Sequence, residues 1–180
     1  IERYFLFIGP GAKSIGSLIP LNTDSDLDVM LGIPPSDLKT QVTAAMANGG
    51  DRWACLAAPI AADGTWADAL EMAQQQGFSV EAVVITKPVT AAAELSAMHA
   101  AAIAINNTYG RRLFVMASTV GILVQQTWSE YLTEQKEITQ DLAAARVLVV
   151  PQLHGNDQGV LAGRLANAAV SIADSPMRVA

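Results

Sequence analysis

Ala82-Val83-Val84-Ile85, Leu113-Phe114-Val115-Met116 and Val147-Leu148-Val149-Val150 are three nearly continuous apolar runs. A strand with one wet face alternates apolar and polar side chains. These runs do not, so they read as strands buried on both faces by helices, the pattern of a parallel sheet. Helix-period segments separate them. Thr90 is placed to cap the longest, in which Leu95, Met98, Ala102 and Ile105 share one face before Gly110 ends it. Thr127 and Glu130 have the spacing of a capping box, which opens a helix running to about Leu142.

The same rhythm extends toward the N-terminus. Tyr4 to Ile8 reads as a first strand and Leu18 to Leu21 as a short second one. Ser25 to Leu31 reads as a brief helix, with Thr23 or Ser25 as its cap and Gly32 as its stop. Ser36 to Asn48 is a longer helix closed by Gly49-Gly50, and Trp53 to Ala58 is a strand ending before Pro59. Thr65 caps a helix that runs through Gln76 to Gly77; Val80 to Ile85 is the strand after it. Val160 to Ile172 forms the final helix. Alternating strands and helices predict an α/β fold, a three-layer sandwich with a mostly parallel sheet flanked by helices and right-handed crossovers. Residues 1–180 are expected to form one domain, since no linker divides them.

Bulk properties narrow the partners. The net charge is −6 and the pI about 4.7. Lys and Arg are scattered, with Arg111-Arg112 the one adjacent pair. Neither a nucleic acid nor an anionic membrane suits such a surface. No apolar run reaches the roughly 18–20 residues of a membrane helix. A single cysteine, Cys55, allows no disulfide within the chain. The chain opens on Ile1 with a strand almost at once and ends on Arg178-Val179-Ala180. We expect both ends to be cut from a longer protein.

Each candidate chemical motif fails at a named position. Gly9-Pro10-Gly11-Ala12-Lys13-Ser14-Ile15-Gly16 follows a strand, as a phosphate loop does. A Walker loop needs glycines where Ala12 and Phe7 stand, and a dinucleotide loop needs one at Ser14. A helix should also follow, yet Ile19-Pro20 suggests a strand. Asp24, Asp26 and Asp28 alternate as in a calcium loop, but Val29 and Pro35 occupy the places of its glycine and its last glutamate. Their expected role is helix capping and favourable charge near a helix N-terminus. His99 lies in the alanine-rich helix as a partly exposed or packed imidazole. His154 lies just beyond a strand end, where open α/β sheets place ligands, with Asp157 as a possible partner. No G-x-S-x-G elbow accompanies it. Cys55 sits in an apolar strand as inert packing; a pairing with a histidine is open in principle. Trp53, Trp66 and Trp128 stand at element starts as packing residues. Arg111-Arg112 reads as a solvated pair at a turn, with an interface role open.

Taken together, several of these stretches resemble one family. They are Ser25-Asp26-Leu27-Asp28, Pro88-Val89-Thr90 and Gly110-Arg111-Arg112-Leu113-Phe114. Val149-Val150-Pro151-Gln152-Leu153-His154-Gly155-Asn156-Asp157 and Gly159-Val160-Leu161-Ala162-Gly163-Arg164-Leu165 follow, then Val170-Ser171-Ile172-Ala173-Asp174-Ser175-Pro176-Met177-Arg178-Val179-Ala180. The chain is similar to prophage-encoded proteins of the contractile tail sheath. That resemblance implies a structural subunit, not an enzyme, with no catalytic, cofactor or metal residues. It implies a virion location after synthesis in the host bacterial cytoplasm. Its partners would be further sheath subunits, in a helical array, and the tail tube protein. Sheath proteins link through terminal arms that add strands to neighbouring sheets. Both arms are expected to lie outside residues 1–180, which are expected to be monomeric alone. The alternative from the residues themselves is an α/β enzyme or nucleotide-binding domain using the Gly9–Gly16 turn or His154. A third is a non-sheath adaptor from the same tail.

Overall fold

Six strands line up side by side in the order β2-β3-β1-β4-β5-β6. The structure is a computed structural model and describes residues 4–140, 142–167 and 169. In chain order the elements are β1 (Phe5–Pro10), β2 (Ile19–Asn22), α1 (Leu27–Leu31), α2 (Asp37–Asn48), β3 (Ala54–Ile60) and α3 (Trp66–Gln75). Then come β4 (Ala82–Ile85), α4 (Ala92–Tyr109), β5 (Phe114–Thr119), α5 (Trp128–Thr139), β6 (Val147–Pro151) and α6 (Asp157–Ala166). All neighbouring strands run parallel except β2, which pairs antiparallel with β3.

The pleat sends alternate side chains to two separate cores. Leu6, Ile8, Leu56, Val83, Ile85 and Val115 face α3 and α4. Phe5, Phe7, Cys55, Ala57, Val84 and Met116 face α1, α2 and α6. This is the three-layer arrangement that the apolar runs predict. β4 is buried along its whole length. β6 is not: as the outer strand it leaves Leu148 39% exposed.

Local signals shift several boundaries. β3 runs through Pro59 to Ile60 instead of stopping before the proline. The Pro59 carbonyl accepts from Gly16 N–H at 2.9 Å, on the β2 side and beyond the paired stretch Ile19–Asn22. Its missing N–H therefore faces a place where no ladder bond is required. α1 is capped by Asp26, whose carboxylate accepts from the Asp28 and Val29 N–H groups. Ser25 bonds Asn22 in the preceding turn instead, and the Thr23 hydroxyl donates to the Asp51 carbonyl. At α4 the Glu94 carboxylate reaches back to accept from the N–H groups of Thr90 and Ala91, so glutamate rather than threonine satisfies that helix start. The Thr127–Glu130 capping box forms as predicted. α5 ends at Thr139, short of Leu142, and α6 starts three residues before Val160; the expected helix over Val170–Ile172 lies outside the described residues.

The α2–α6 contact closes the second layer. Gly159 and Gly163 stand four residues apart on one face of α6. A β-carbon at Gly159 would lie 2.2 Å from the Gln41 carbonyl oxygen, and one at Gly163 would lie 2.4 Å from that of Ala45. Neither fits unless the helices separate. Gly163→Ala gains about 1 kcal/mol of helix propensity, yet we expect a net loss of about 1–3 kcal/mol from overpacking. Urea unfolding measures this; an unchanged or raised midpoint would show that the close approach is dispensable.

Candidate functional site

Doubly wound sheets hold ligands beyond the carboxyl ends of the strands, where strand order reverses. The parallel strands here run β3-β1-β4-β5-β6, so the reversal falls between β1 and β4. The chain's own side chains occupy that place. Thr86, following β4, lies against Gly9, where a β-carbon would meet its Oγ1 at 1.7 Å. The Thr86 N–H donates to the Ile8 carbonyl at 2.9 Å, and the Val89 N–H donates to that of Ser118 at 2.7 Å. From α6 the wholly buried Gln158 donates its amide to the Ile85 and Met116 carbonyls at 3.0 and 2.8 Å. The fit leaves Thr86 Oγ1, Ser118 Oγ and Gln158 Oε1 buried without a hydrogen-bond partner, at a cost of about 1–3 kcal/mol each.

Electrostatics work against an anion here too. Each helix carries an acid in its first turn: Asp28, Asp37, Asp68, Glu94, Glu130 and Asp157. The N–H and hydroxyl of Thr127 hold the Glu130 carboxyl below its usual range. A carboxylate favours the helix macrodipole but takes the position a phosphate would use.

The Gly9–Gly16 turn is committed to packing. Its Gly11 and Gly16 N–H groups donate to the Ile60 and Pro59 carbonyls. A β-carbon at Gly11 would lie 2.5 Å from that of Pro59. The Lys13 ammonium donates to the Val29 carbonyl. The three aspartates do not converge either. Asp26 caps α1, Asp28 pairs with Lys39, and the Asp24 N–H donates to the Asn22 side chain. Lys39 also donates to the Gly32 and Ile33 carbonyls, which occupies its three protons.

His154 and Asp157 do meet, as their spacing suggests. The His154 ring Nδ1 lies 2.8 Å from Asp157 Oδ1, and its backbone N–H donates to Oδ2 at 2.6 Å. Partial burial alone would raise the Asp157 carboxyl, but the ring and backbone bonds from His154 outweigh it and hold the group below its usual range. The pair clasps the turn after β6 at the start of α6. Cys55, near the opposite end of β3, is fully buried, and burial pushes its thiol up. It cannot serve His154, which follows β6 four strands away. His99 is half-buried and accepts the Arg146 N–H.

The remaining expectations divide. Trp53 packs over Gly49, but Trp128 is 59% exposed and touches Tyr131 edge-on. Arg112 is solvated, whereas Arg111 donates to the Gln74 side chain and the Phe78 carbonyl and lies over the Tyr109 ring. Residue-by-residue reading missed an exposed apolar surface at Leu123, Val124, Trp128 and Leu132. Its signal was Ile122-Leu123-Val124, an apolar triplet with neither strand nor helix period, directly before a helix cap.

The family model described as "DUF2586, N-terminal domain" matches residues 1–180. A protein of Haemophilus phage HP1 (strain HP1c1), named "Putative tail sheath protein", is 38% identical over 188 residues, covering 99% of this chain and 49% of its own length. The chain thus spans about half of that relative. The crystal structure of a sheath tail protein from Desulfitobacterium hafniense superposes with a TM-score of 0.57 at 10% identity, over 93% of this chain and 59% of that one. At that identity the likeness shows a shared fold.

Asp157→Asn tests the clasp. A carboxylate held low contributes stability that is complete above its unfolded value of about 3.9 and fades as pH falls through the lower folded one. We expect the variant to lose roughly 1 kcal/mol at pH 7, and the gap to be smaller at about pH 3. An equal gap at both pH values would show that the charge plays no part.

Proposed function

The chain belongs to the DUF2586 family as its N-terminal domain, and from that premise we propose that it is a structural domain of the tail sheath of a phage or phage-like particle. The observation that carries this is the 38% identity, across 99% of the chain, to the phage protein named for that role. Residues 1–180 form one domain of the subunit. Copies surround a tail tube in a helical array and move together when the tail contracts. The partners are further sheath subunits and the tube protein; the location is the virion tail, after synthesis in the host cytoplasm.

The geometry supports a structural part over a catalytic one. The crevice where this sheet class binds ligands is filled by Thr86, and the neighbouring β4–β5 gap by Gln158. First-turn carboxylates repel a phosphate there. His154 and Asp157 engage each other, and their hydrogen bonds among the described residues reach no nucleophile.

Two measurements check the reading. Electron microscopy of the protein at its natural length is expected to show tubes or polysheath; monomers under every condition would count heavily against a sheath role. Residues 1–180 alone are expected to elute as monomers in size-exclusion chromatography with light scattering. A stable large oligomer of that fragment would refute the expectation that it is monomeric alone.

A further inference from the structure

Strands β5 and β6 end in two unlike surfaces. At their carboxyl ends the loop after β5 projects Leu123 and Val124, 62% and 99% exposed, beside Trp128. Gly121 packs on the chain leaving β6, where a β-carbon would lie 2.0 Å from the Gln152 carbonyl oxygen. Leu153, 42% exposed, therefore joins the same apolar surface. Glu130 and Asp157, first-turn acids of α5 and α6, flank it. Glu94, in the first turn of α4, lies further along the edge, and Lys87 lies in the β4–α4 connection.

The amino ends are cationic. Arg111 and Arg112 lead into β5, and the Val115 N–H donates to the Arg146 carbonyl at 2.8 Å, which sets Arg146 beside them. Lys136 lies in the last turn of α5. Among the described residues these four face Glu71, which shares a groove with Tyr109, and Glu81 and Glu137 at the same end, four cations to three carboxylates. Tyr109 is 39% exposed there, with the Arg111 guanidinium 5.6 Å above its ring. About six residues of strand, roughly 20 Å, separate the two ends.

We propose that these ends dock on each other in successive copies of this chain. The apolar, carboxylate-flanked end of β5–β6 in one copy seats on the arginine-bearing end in the next. Opposite charges favour this pairing, and like ends would set carboxylate against carboxylate or cation against cation. Aromatic side chains and arginine, present on the two faces, are the residues interfaces favour. A contact between two different surfaces does not close on itself, so it propagates as an open array. The patch is small, which suits a contact that is weak for one pair and accumulates along many. The inference rests on the sheath reading only in naming which contact such an array would use.

The test introduces Val124→Cys and Arg112→Cys into the protein at its natural length, with any cysteine outside residues 1–180 replaced by serine; Cys55 is buried. Mild oxidation of the double variant is expected to give a ladder of covalent oligomers. An equal mixture of the two single variants is expected to give one cross-linked dimer and nothing larger. Either single variant dimerising by itself as readily would indicate a like-to-like contact and overturn the proposal. Tubes in the electron microscope without a ladder would overturn it while leaving the sheath reading intact. A ladder without tubes would support the docking and remove the sheath reading. Arg112→Glu, at an exposed position, is expected to cut tube yield about tenfold, a charge effect that unchanged yield would refute.

Discussion

The seat of α6 on α2 governs the side of the molecule where function would ordinarily sit. Two absent β-carbons, at Gly159 and Gly163, let the helices approach to backbone contact. Gln41 of α2 then completes the junction: its Oε1 accepts the Gly159 N–H at 2.7 Å and its Nε2 donates to the Gly155 carbonyl at 2.8 Å. An amide on one helix thus caps the next. Because α6 sits that close, Gln158 reaches the β4 and β5 carbonyls and fills the gap next to the reversal point, which Thr86 occupies. A bulkier residue at Gly159 would push α6 outward and withdraw Gln158 with it. Sealing the crevice and closing the second helical layer are one event.

Charge reinforces what packing does. A first-turn acid stabilises its helix by about 0.3–1 kcal/mol, and here every helix has one. Nucleotide-binding α/β sheets leave helix N-termini free for phosphate. This chain spends them on carboxylates. The stabilising choice and the loss of an anion site are the same choice, made six times over.

How much of this was legible in the sequence depended on the range of the interaction. Apolar runs at β4 and β5, the glycine stops and the Thr127–Glu130 box are local, and they appear where the residues place them. Two features, at Pro59 and in α6, were not local. Pro59 could join β3 because of which neighbour its missing N–H faces, and no window of sequence states that. The choice of Asp26 over Ser25 as the cap is local too, since Asn22, three residues back, holds the serine in the turn. The glycine pair in α6 has a spacing common by chance; it acquires meaning only beside Gln41 and Ala45, more than a hundred residues away. For the site, the His154–Asp157 contact was readable from its three-residue spacing, whereas its structural use needed the rest of the turn. Gln158 carried no signal, since a buried glutamine looks like any surface glutamine until its partners are known.

The exposed loop after β5 then takes on a different weight. Loops at the carboxyl edge of such sheets position function on a rigid scaffold. In an enzyme this loop would fold back over the crevice, but Thr86 and Gln158 leave nothing to cover. Its apolar side chains point outward instead, with Val124 99% exposed. One stray valine on a surface needs no reason. Leu123, Val124, Trp128 and Leu153 together do, because burying each large apolar side chain is worth about 1.5–3 kcal/mol. Free in water they are an aggregation hazard; covered by a defined neighbour they drive assembly. The opposite end of the same strands supplies a surface of complementary charge with an aromatic of its own, so an ordered row of identical copies satisfies both ends at once.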